Sequence, residues 1–134
     1  MMGLSKLFGR KPPVGKPQEF DNILWGTTNP VLLTLSSGMA QVRVRGNCSV
    51  AVINPQLFAQ MLGDRSQMAT QVKGIIVNKV TDALFEVSLG KAGLIDIISS
   101  SDEMAVMVKA IAEPPLNTIG LTLKQFEIHA IERG

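Results

Sequence analysis

Apolar and polar positions alternate in several parts of the chain, as they do in β-strands. Residues 31–35 form an apolar run that ends at a Ser-Ser-Gly turn, and residues 42–45 alternate valine with arginine, which places the two side-chain types on opposite faces. Residues 119–130 are predicted to form a further strand, whose apolar phase slips by one position between Leu123 and Phe126. Such a slip predicts a β-bulge at that point.

The dipeptide Gly46-Asn47 follows the valine–arginine strand and can be interpreted in two ways. It can form a tight hairpin turn, because Gly followed by Asn tolerates positive φ. It can equally form a bulge inside one long strand that continues through residues 48–52. A shorter apolar run, residues 20–25, ends at the sequence Gly-Thr-Thr-Asn-Pro.

The middle of the chain carries helix-start signals and apolar residues at three- and four-residue spacing. Asn54-Pro55 predicts the start of a short helix, because the Asn side chain can accept a bond from a free amide and Pro suits the first helical position. Asp64 with Gln67 predicts a capping box that opens a longer helix, which ends at Gly90. One face of this longer helix is apolar, at Met68, Val72, Ile75, Ile76, Val80, Ala83, Leu84 and Val87.

Two more helical segments precede the last strand. A short one is predicted near residues 94–98, and the sequence Ser-Ser-Asp-Glu at residues 100–103 predicts a second capping box before another helix. Pro114-Pro115 predicts the end of that helix. Strands, a block of three to four helices and a returning strand predict an α+β domain, with a small mixed or antiparallel sheet on which the helices pack.

Composition narrows the possible functions. The chain has 134 residues, of which 46% are hydrophobic and 18% are charged, and this fits one folded domain with a core. Aromatic residues make up 4% and the net charge is +2, so base stacking and phosphate-backbone binding are disfavoured and no nucleic-acid partner is predicted. One Cys and one His are too few for an ordinary zinc site. No metal and no cofactor are predicted.

Charge is concentrated at the N-terminus. No acid precedes residue 19, so four cations give residues 1–17 a charge of +4, while the nine bases and eleven acids that follow give −2. The four cations are Lys6, Arg10, Lys11 and Lys16. We expect residues 1–18 to form a flexible, basic arm rich in Pro and Gly, and residues 19–134 to form a single domain.

Neither long uncharged stretch of the chain, residues 22–42 or residues 46–63, is apolar enough to span a bilayer. The N-terminus lacks the apolar region of a secretory signal. We therefore expect a cytoplasmic chain that lies on a membrane rather than in it, if it meets one.

The sequence holds no set of side chains arranged for catalysis, and no catalytic residue is predicted. His129 falls in the alternating last strand and is expected to be solvated, whereas Cys48 alternates with valines and is expected to pack in the core. The serines at residues 99–101 are better explained as a helix cap than as a nucleophile. Arg43 and Arg45 project from one strand face, which is either a solvated or intersubunit salt-bridged face or a site for an anionic ligand.

Four segments, spread over residues 19–131, match the motifs of one protein family in order. Residues 25–30 read Trp-Gly-Thr-Thr-Asn-Pro, and residues 54–58 read Asn-Pro-Gln-Leu-Phe. Residues 72–85 belong to the long helix, and residues 120–128 read Gly-Leu-Thr-Leu-Lys-Gln-Phe-Glu-Ile. They resemble the WGTpNP element, the DPxLF helix start, the long helix and the closing strand of bacterial SPFH (stomatin/prohibitin/flotillin, or Band 7) proteins, in the virion-core-protein-like subgroup.

The resemblance also implies segments that this sequence does not contain. Domains of this subgroup begin with additional strands upstream of the WGT element, where this chain has its Pro/Gly-rich arm. A long helix or coiled coil, and often a zinc ribbon, follows the family's domain, whereas this chain stops at Gly134. We therefore expect either a domain truncated at both ends or a natural short variant.

The resemblance implies a non-catalytic scaffold that self-associates and organises other proteins at the cytoplasmic face of a membrane. We expect homo-oligomers, protein partners and weak contact with an anionic membrane surface, through an interaction surface formed by Arg43, Arg45, Lys6, Arg10 and Lys11. The alternative is a soluble partner-binding module of a larger phage-like or secretion-type assembly. In that case the two strand arginines contact an acidic partner and the methionine-rich helices form a groove.

Overall fold

A four-stranded antiparallel sheet and four helices form the part of the chain that the computed structural model describes, residues 18–62 and 64–134. The strands are β1 (Glu19–Gly26), β2 (Val31–Leu35), β3 (Gly38–Val52) and β4 (Leu121–Arg133). The helices are α1 (Pro55–Met61), α2 (Arg65–Ser88), α3 (Leu94–Ser99) and α4 (Ser101–Asn117). The predicted α+β class is confirmed. The predicted basic arm lies, except for Gln18, outside the described residues.

β3 is the central strand, and the other three strands pair with it. Arg45 pairs with Gly26 of β1 on one side and with Ala130 of β4 on the other, so β1 and β4 form opposite edges of the sheet. β2 continues the edge that β1 begins, because Val42 likewise pairs with Val31 of β2 on the side away from β4. The sheet is therefore at most three strands wide, and the first residues of β3, Gly38 to Gln41, pair with β2 alone.

Bulges in β4 set the register of the sheet. Lys124 is one extra residue against β3, so the bulge predicted between Leu123 and Phe126 is confirmed. His129 is a second extra residue, next to the pair that Gly46 makes with Ile128. Gly46 and its neighbour Asn47 lie inside β3, so the long strand is correct and the hairpin turn is wrong. The extra residue of the bulge beside Gly46 belongs to β4 and not to β3.

The core lies between one face of the sheet and the helices α2 and α4. The predicted apolar face of α2 is buried, with Ile75 partly so, and five inward side chains of β3 meet the core: Val42, Val44, Cys48, Val50 and Val52. Burial of one such aliphatic side chain contributes roughly 1.5–3 kcal/mol. The two-residue period of β3 and the helical period of α2 together account for this arrangement.

The predicted starts of α1 and α2 are confirmed by their hydrogen bonds. Asn54 Oδ1 accepts from the Leu57 amide at 3.0 Å, and Asp64 Oδ1 accepts from the Gln67 amide at 2.8 Å. Each bond satisfies an amide that the first helical turn leaves free. After α2, Gly90 adopts a φ of 78°, which suits glycine.

The capping box predicted at residues 100–103 is wrong. Ser100 does precede α4, but its hydroxyl donates to the Asp96 carbonyl at 2.9 Å and caps no helix. The carboxylate cap occurs one helix earlier, because Asp96 accepts from the amides of Ala92 and Gly93, both at 3.2 Å. The hydroxyl is drawn back to α3 because the two helices join at Ser100 without an intervening loop.

The end predicted for α4 at Pro114-Pro115 is also wrong, because the helix continues to Asn117. Leu116 is fully buried, and this burial offsets the two helical hydrogen bonds that the prolines cannot donate. The last turn closes where the Thr118 amide donates to the Pro114 carbonyl at 3.3 Å.

Candidate interaction surface

One face of the sheet is turned away from the core and exposes large side chains. Leu24, Leu32 and Met39 are 63%, 50% and 63% exposed, and Arg43 and Arg45 project from the same face. We name these five residues the open sheet face. Alternation puts them here: the strand neighbours of Leu24, Leu32, Arg43 and Arg45 are buried residues of the core face, and Met39 precedes the partly buried Ala40.

The two arginines of the open sheet face are held only loosely. Arg43 Nη1 donates to the Thr28 carbonyl at 3.0 Å, and Arg45 Nε lies 3.8 Å from Glu132 Oε1. Both side chains of the second pair are more than half exposed, so the pair contributes little to stability. The guanidinium groups remain accessible to an outside acid. The other three expected surface residues, Lys6, Arg10 and Lys11, lie outside the described residues.

The open sheet face ends where β1 and β4 reach across β3. Lys124 Nζ lies 3.2 Å from Glu19 Oε2, which joins the two edge strands above the central one. Beneath this pair, Ser49 and Ala51 are buried although they point away from the helices. Because the central strand has small residues here, the long side chains of Lys124 and Glu19 can cover it from the two edges.

A cavity of about 470 Å³ lies beside the open sheet face, between the segment that joins β1 to β2 and helix α2. Its lining includes Pro30, Leu32, Val77, Thr81 and Phe85 and contains no ionisable side chain. We name it the α2 cavity. Phe85 is 48% exposed, so an aromatic ring is available to a partner. The spacing of Val77, Thr81 and Phe85 by four residues signals a helical ridge, which sequence reasoning overlooked.

Hydrogen bonds fix the segment that borders the α2 cavity. The Thr27 amide donates to the Val44 carbonyl at 2.9 Å, and the Thr27 hydroxyl accepts from the Val44 amide at 3.1 Å. Thr28 receives the bond from Arg43 described above. The Thr-Thr-Asn-Pro segment is thus tied to β3, although it leaves the regular strand ladder.

Trp25 crosses the central strand at Gly46 on the core face and stacks on Phe126 of β4. The two rings are 5.2 Å apart at an angle of 9°. A Cβ on Gly46 would lie 2.7 Å from the Trp25 ring and would collide with the Glu127 carbonyl. Glycine is required here because the backbone of β4 and the Trp25 ring both occupy the space that a side chain would need.

The candidate chemical residues of the sequence lie in separate places. Cys48 is fully buried, as predicted, and burial raises the pKa of its thiol to about 12. His129 is exposed, as predicted, with Nε2 3.3 Å from Glu127 Oε1. The Ser99 hydroxyl donates to the Ile95 carbonyl at 2.9 Å. A raised thiol pKa keeps the group in its unreactive form.

Two further observations concern metals and membranes. In residues 18–62 and 64–134, no three His, Cys, Asp or Glu residues are grouped so that they could hold a metal ion. Among the helices of the described chain, none has the length and apolar character needed to cross a membrane.

In the described part of the chain, the methionines do not form a partner-binding groove. Met68 and Met104 are fully buried in the core, and Met107 packs against it. Met39 belongs to the open sheet face, and Met61 is exposed at the end of α1. Methionine therefore fills the core at the helix interface.

Comparison with known proteins identifies one family. Residues 15–133 match the model of the SPFH domain-Band 7 family, a range that contains all of the strands and helices described above. A search of curated proteins finds no match to the chain.

Proposed function

Because the chain belongs to the SPFH domain-Band 7 family, we propose that it is a non-catalytic scaffold that self-associates and gathers other proteins at the cytoplasmic face of a membrane. Family membership supports a scaffold-type role. Within the family we place the chain in the virion-core-protein-like subgroup. The motifs at residues 25–30 and 54–58 support this placement.

The open sheet face is the observation that carries this proposal. It combines three exposed apolar side chains with two exposed arginines, Arg43 and Arg45. Apolar contact together with positive charge suits the surface of an anionic membrane, where each Lys or Arg contributes about 1 kcal/mol. The face can rest on lipid headgroups while the helices on the other side of the sheet remain in water. The cations Lys6, Arg10 and Lys11 add to the same attraction.

A vesicle experiment tests the membrane part of the proposal. The full chain is floated with phosphatidylcholine vesicles, with and without phosphatidylglycerol. We expect binding only to the anionic vesicles, and we expect Arg43→Glu with Arg45→Glu to weaken it at least about tenfold. The control is Lys91→Glu with Lys109→Glu, which changes the net charge equally at other positions. Equal losses in both variants, or no binding by the unaltered chain, would contradict a role for the open sheet face.

A size measurement tests self-association separately. Light scattering of the full chain over a wide concentration range, without lipid, should show a mass that rises above that of the 14.4 kDa monomer. A mass that stays at the monomer value at every concentration would contradict the scaffold proposal.

The α2 cavity favours a second candidate function, a soluble partner-binding module of a larger assembly. An uncharged cavity with an exposed aromatic ring suits an apolar anchor residue of a partner protein. Phe85→Ser would then abolish binding to the partner but leave both vesicle binding and the mass unchanged. The scaffold candidate instead predicts that the Arg43 and Arg45 variant is the one that fails.

A further inference from the structure

Two smaller cavities lie at the two edges of the sheet, each between an edge strand and the helix packed beside it. The first, of about 220 Å³, lies between β1 and α2 and is bordered by Asn22, Leu24, Arg65 and Lys73. We name it the basic edge. The second, of about 270 Å³, lies between β4 and α4, and we name it the acidic edge. Its border includes Asp102, Ala105, Glu127 and His129.

The charges at the two edges are opposite. The ionisable side chains at the basic edge are Arg65 and Lys73, both cations. Those at the acidic edge are Asp102, Glu127 and His129, of which the first two are anions. The carboxylate of Asp64, next to Arg65, accepts a hydrogen bond from the Gln67 amide and caps the helix.

The two edges lie at the same level of the sheet. Leu24, at the basic edge, pairs with Asn47 of β3, and Asn47 pairs on its other side with Glu127, at the acidic edge. One straight row across the sheet therefore connects them. A second molecule placed beside the first, in the same orientation, brings its basic edge against the acidic edge of its neighbour.

Neither edge is suited to pairing with a neighbour by strand addition. Asn22 has a φ of 56° and lies where β1 and β3 shift register, and His129 is the extra residue in β4. Bulges at an edge interrupt the row of amides and carbonyls that an added strand needs. Each bulge residue borders its own cavity, so contact at either edge must be made by side chains.

We propose that the basic edge of one copy binds the acidic edge of a second copy, in a head-to-tail contact. The inference rests on the proposed self-association and specifies the surfaces that produce it. Charge complementarity selects this partner, because each molecule carries both halves of the contact at the same level of its sheet. Arg65 and Lys73 of one copy face Asp102 and Glu127 of the next. Such a contact uses two different surfaces, so it extends into a ring or a filament instead of ending at a dimer.

A charge-swap experiment on the full chain tests this contact. Variant one carries Arg65→Glu and Lys73→Glu, and therefore has two acidic edges. Variant two carries Asp102→Lys and Glu127→Lys, and therefore has two basic edges. We expect each variant alone to associate at least about tenfold more weakly than the unaltered chain, because like charges then face each other. An equimolar mixture should associate again, since opposite edges are restored between the two variants.

Matched controls carry the same change in net charge elsewhere: Lys91→Glu with Lys109→Glu, and Asp82→Lys with Glu86→Lys. Light scattering measures mass, and circular dichroism verifies folding. If a reversed variant does not fold, Arg65→Gln with Lys73→Gln and Asp102→Asn with Glu127→Gln replace the pairs, with weaker association expected from each. Controls that associate normally, together with a mixture that recovers, support the proposal.

The outcomes separate this inference from the proposed function. An unaltered chain that associates, with edge variants that associate equally well or a mixture that does not recover, overturns the head-to-tail contact and leaves the scaffold proposal standing. An unaltered chain that remains monomeric at every concentration overturns both.

Discussion

Gly46 leaves room for Trp25 at the point where that ring crosses the central strand. The ring lies over the glycine and stacks on Phe126, so the first and last strands of the sheet touch above the middle one. Any side chain at position 46 would separate the two rings and press on the backbone of β4. The residue thus determines how closely three strands pack on the core face.

We predict that Gly46→Ala lowers the free energy of unfolding by about 3 kcal/mol, because the added methyl group meets backbone atoms that cannot move aside. Gly74→Ala is the matched control. Gly74 lies inside α2 with open space around it, so alanine there should raise stability by about 0.5–1 kcal/mol. Urea titrations followed by Trp25 fluorescence measure both. Equal effects of the two substitutions would contradict this account of Gly46.

The buried thiol of Cys48 gives a second test at the scale of one residue. Because its pKa is raised to about 12, it stays protonated in the folded chain at about pH 8. We predict that a thiol reagent modifies the folded chain more than about a thousandfold more slowly than the chain unfolded in urea. Rapid labelling of the folded chain would show that this part of the core opens readily.

The same shift makes stability depend on pH in a definite direction. The unfolded thiol loses its proton at its ordinary pKa, whereas the folded thiol keeps it up to about pH 12. Between these values the folded chain binds more protons, so the free energy of unfolding must fall as pH rises. Replacing Cys48 by alanine should remove this part of the slope, and urea titrations of both chains across the alkaline range measure it.

At the scale of elements, Glu113 joins helix α4 to strand β4. Its carboxylate accepts from the Thr122 hydroxyl at 2.8 Å and from the Leu123 amide at 2.6 Å. Both donors lie at the start of β4, just before its first bulge, so the contact positions the strand as the chain returns from the helix. Pro114, which follows, adds no amide donor of its own.

We predict that Glu113→Ala costs about 1.5–3 kcal/mol, the range for hydrogen bonds to a charged group, because the Leu123 amide then loses its acceptor. Glu103→Ala is the control, since Glu103 is an exposed acid in the first turn of the same helix and should change stability by less than about 1 kcal/mol. Thermal unfolding by circular dichroism compares them. Equal losses would mean that only helix electrostatics had changed.

The two errors in predicting α4 arise from tertiary and neighbouring-helix contacts that local sequence does not reveal. Pro114-Pro115 and the serines near residue 100 are sound local signals for a helix end and a helix start. Burial of Leu116 extends the helix past the two prolines. The Ser100 hydroxyl donates to a carbonyl of α3 instead of capping α4. In α2, local capping and apolar spacing agree with packing, and its prediction is confirmed.

At the scale of the whole molecule, alternation in the sequence predicts the shared face of the two arginines, whereas it does not predict the basic edge or the acidic edge. Arg43 and Arg45 stand two residues apart, so their shared face is visible in the sequence. Arg65 borders the same cavity as Asn22, and Asp102 borders the same cavity as Glu127. These residues are distant in sequence, and only strand pairing and helix packing bring them together. Sequence periodicity identifies which face of an element is polar but does not identify its neighbours.

We predict that assemblies of the unaltered chain extend beyond the dimer, because a head-to-tail contact leaves one free edge on every added copy. A small fraction of the variant Asp102→Lys with Glu127→Lys should shorten them, since this variant joins a growing end and then offers no acidic edge. Sedimentation velocity gives the size distribution of each mixture. A distribution that stops at the dimer would indicate a self-complementary contact instead.

The stack of Trp25 on Phe126 also has a consequence for synthesis on the ribosome. The only tryptophan of the chain belongs to the first strand, and its aromatic partner belongs to the last, with all four helices between them. Until β4 has emerged, the nascent chain must leave one side of β3 unpaired and the tryptophan without its partner ring. A change in tryptophan emission therefore marks the moment at which a newly made chain completes its sheet.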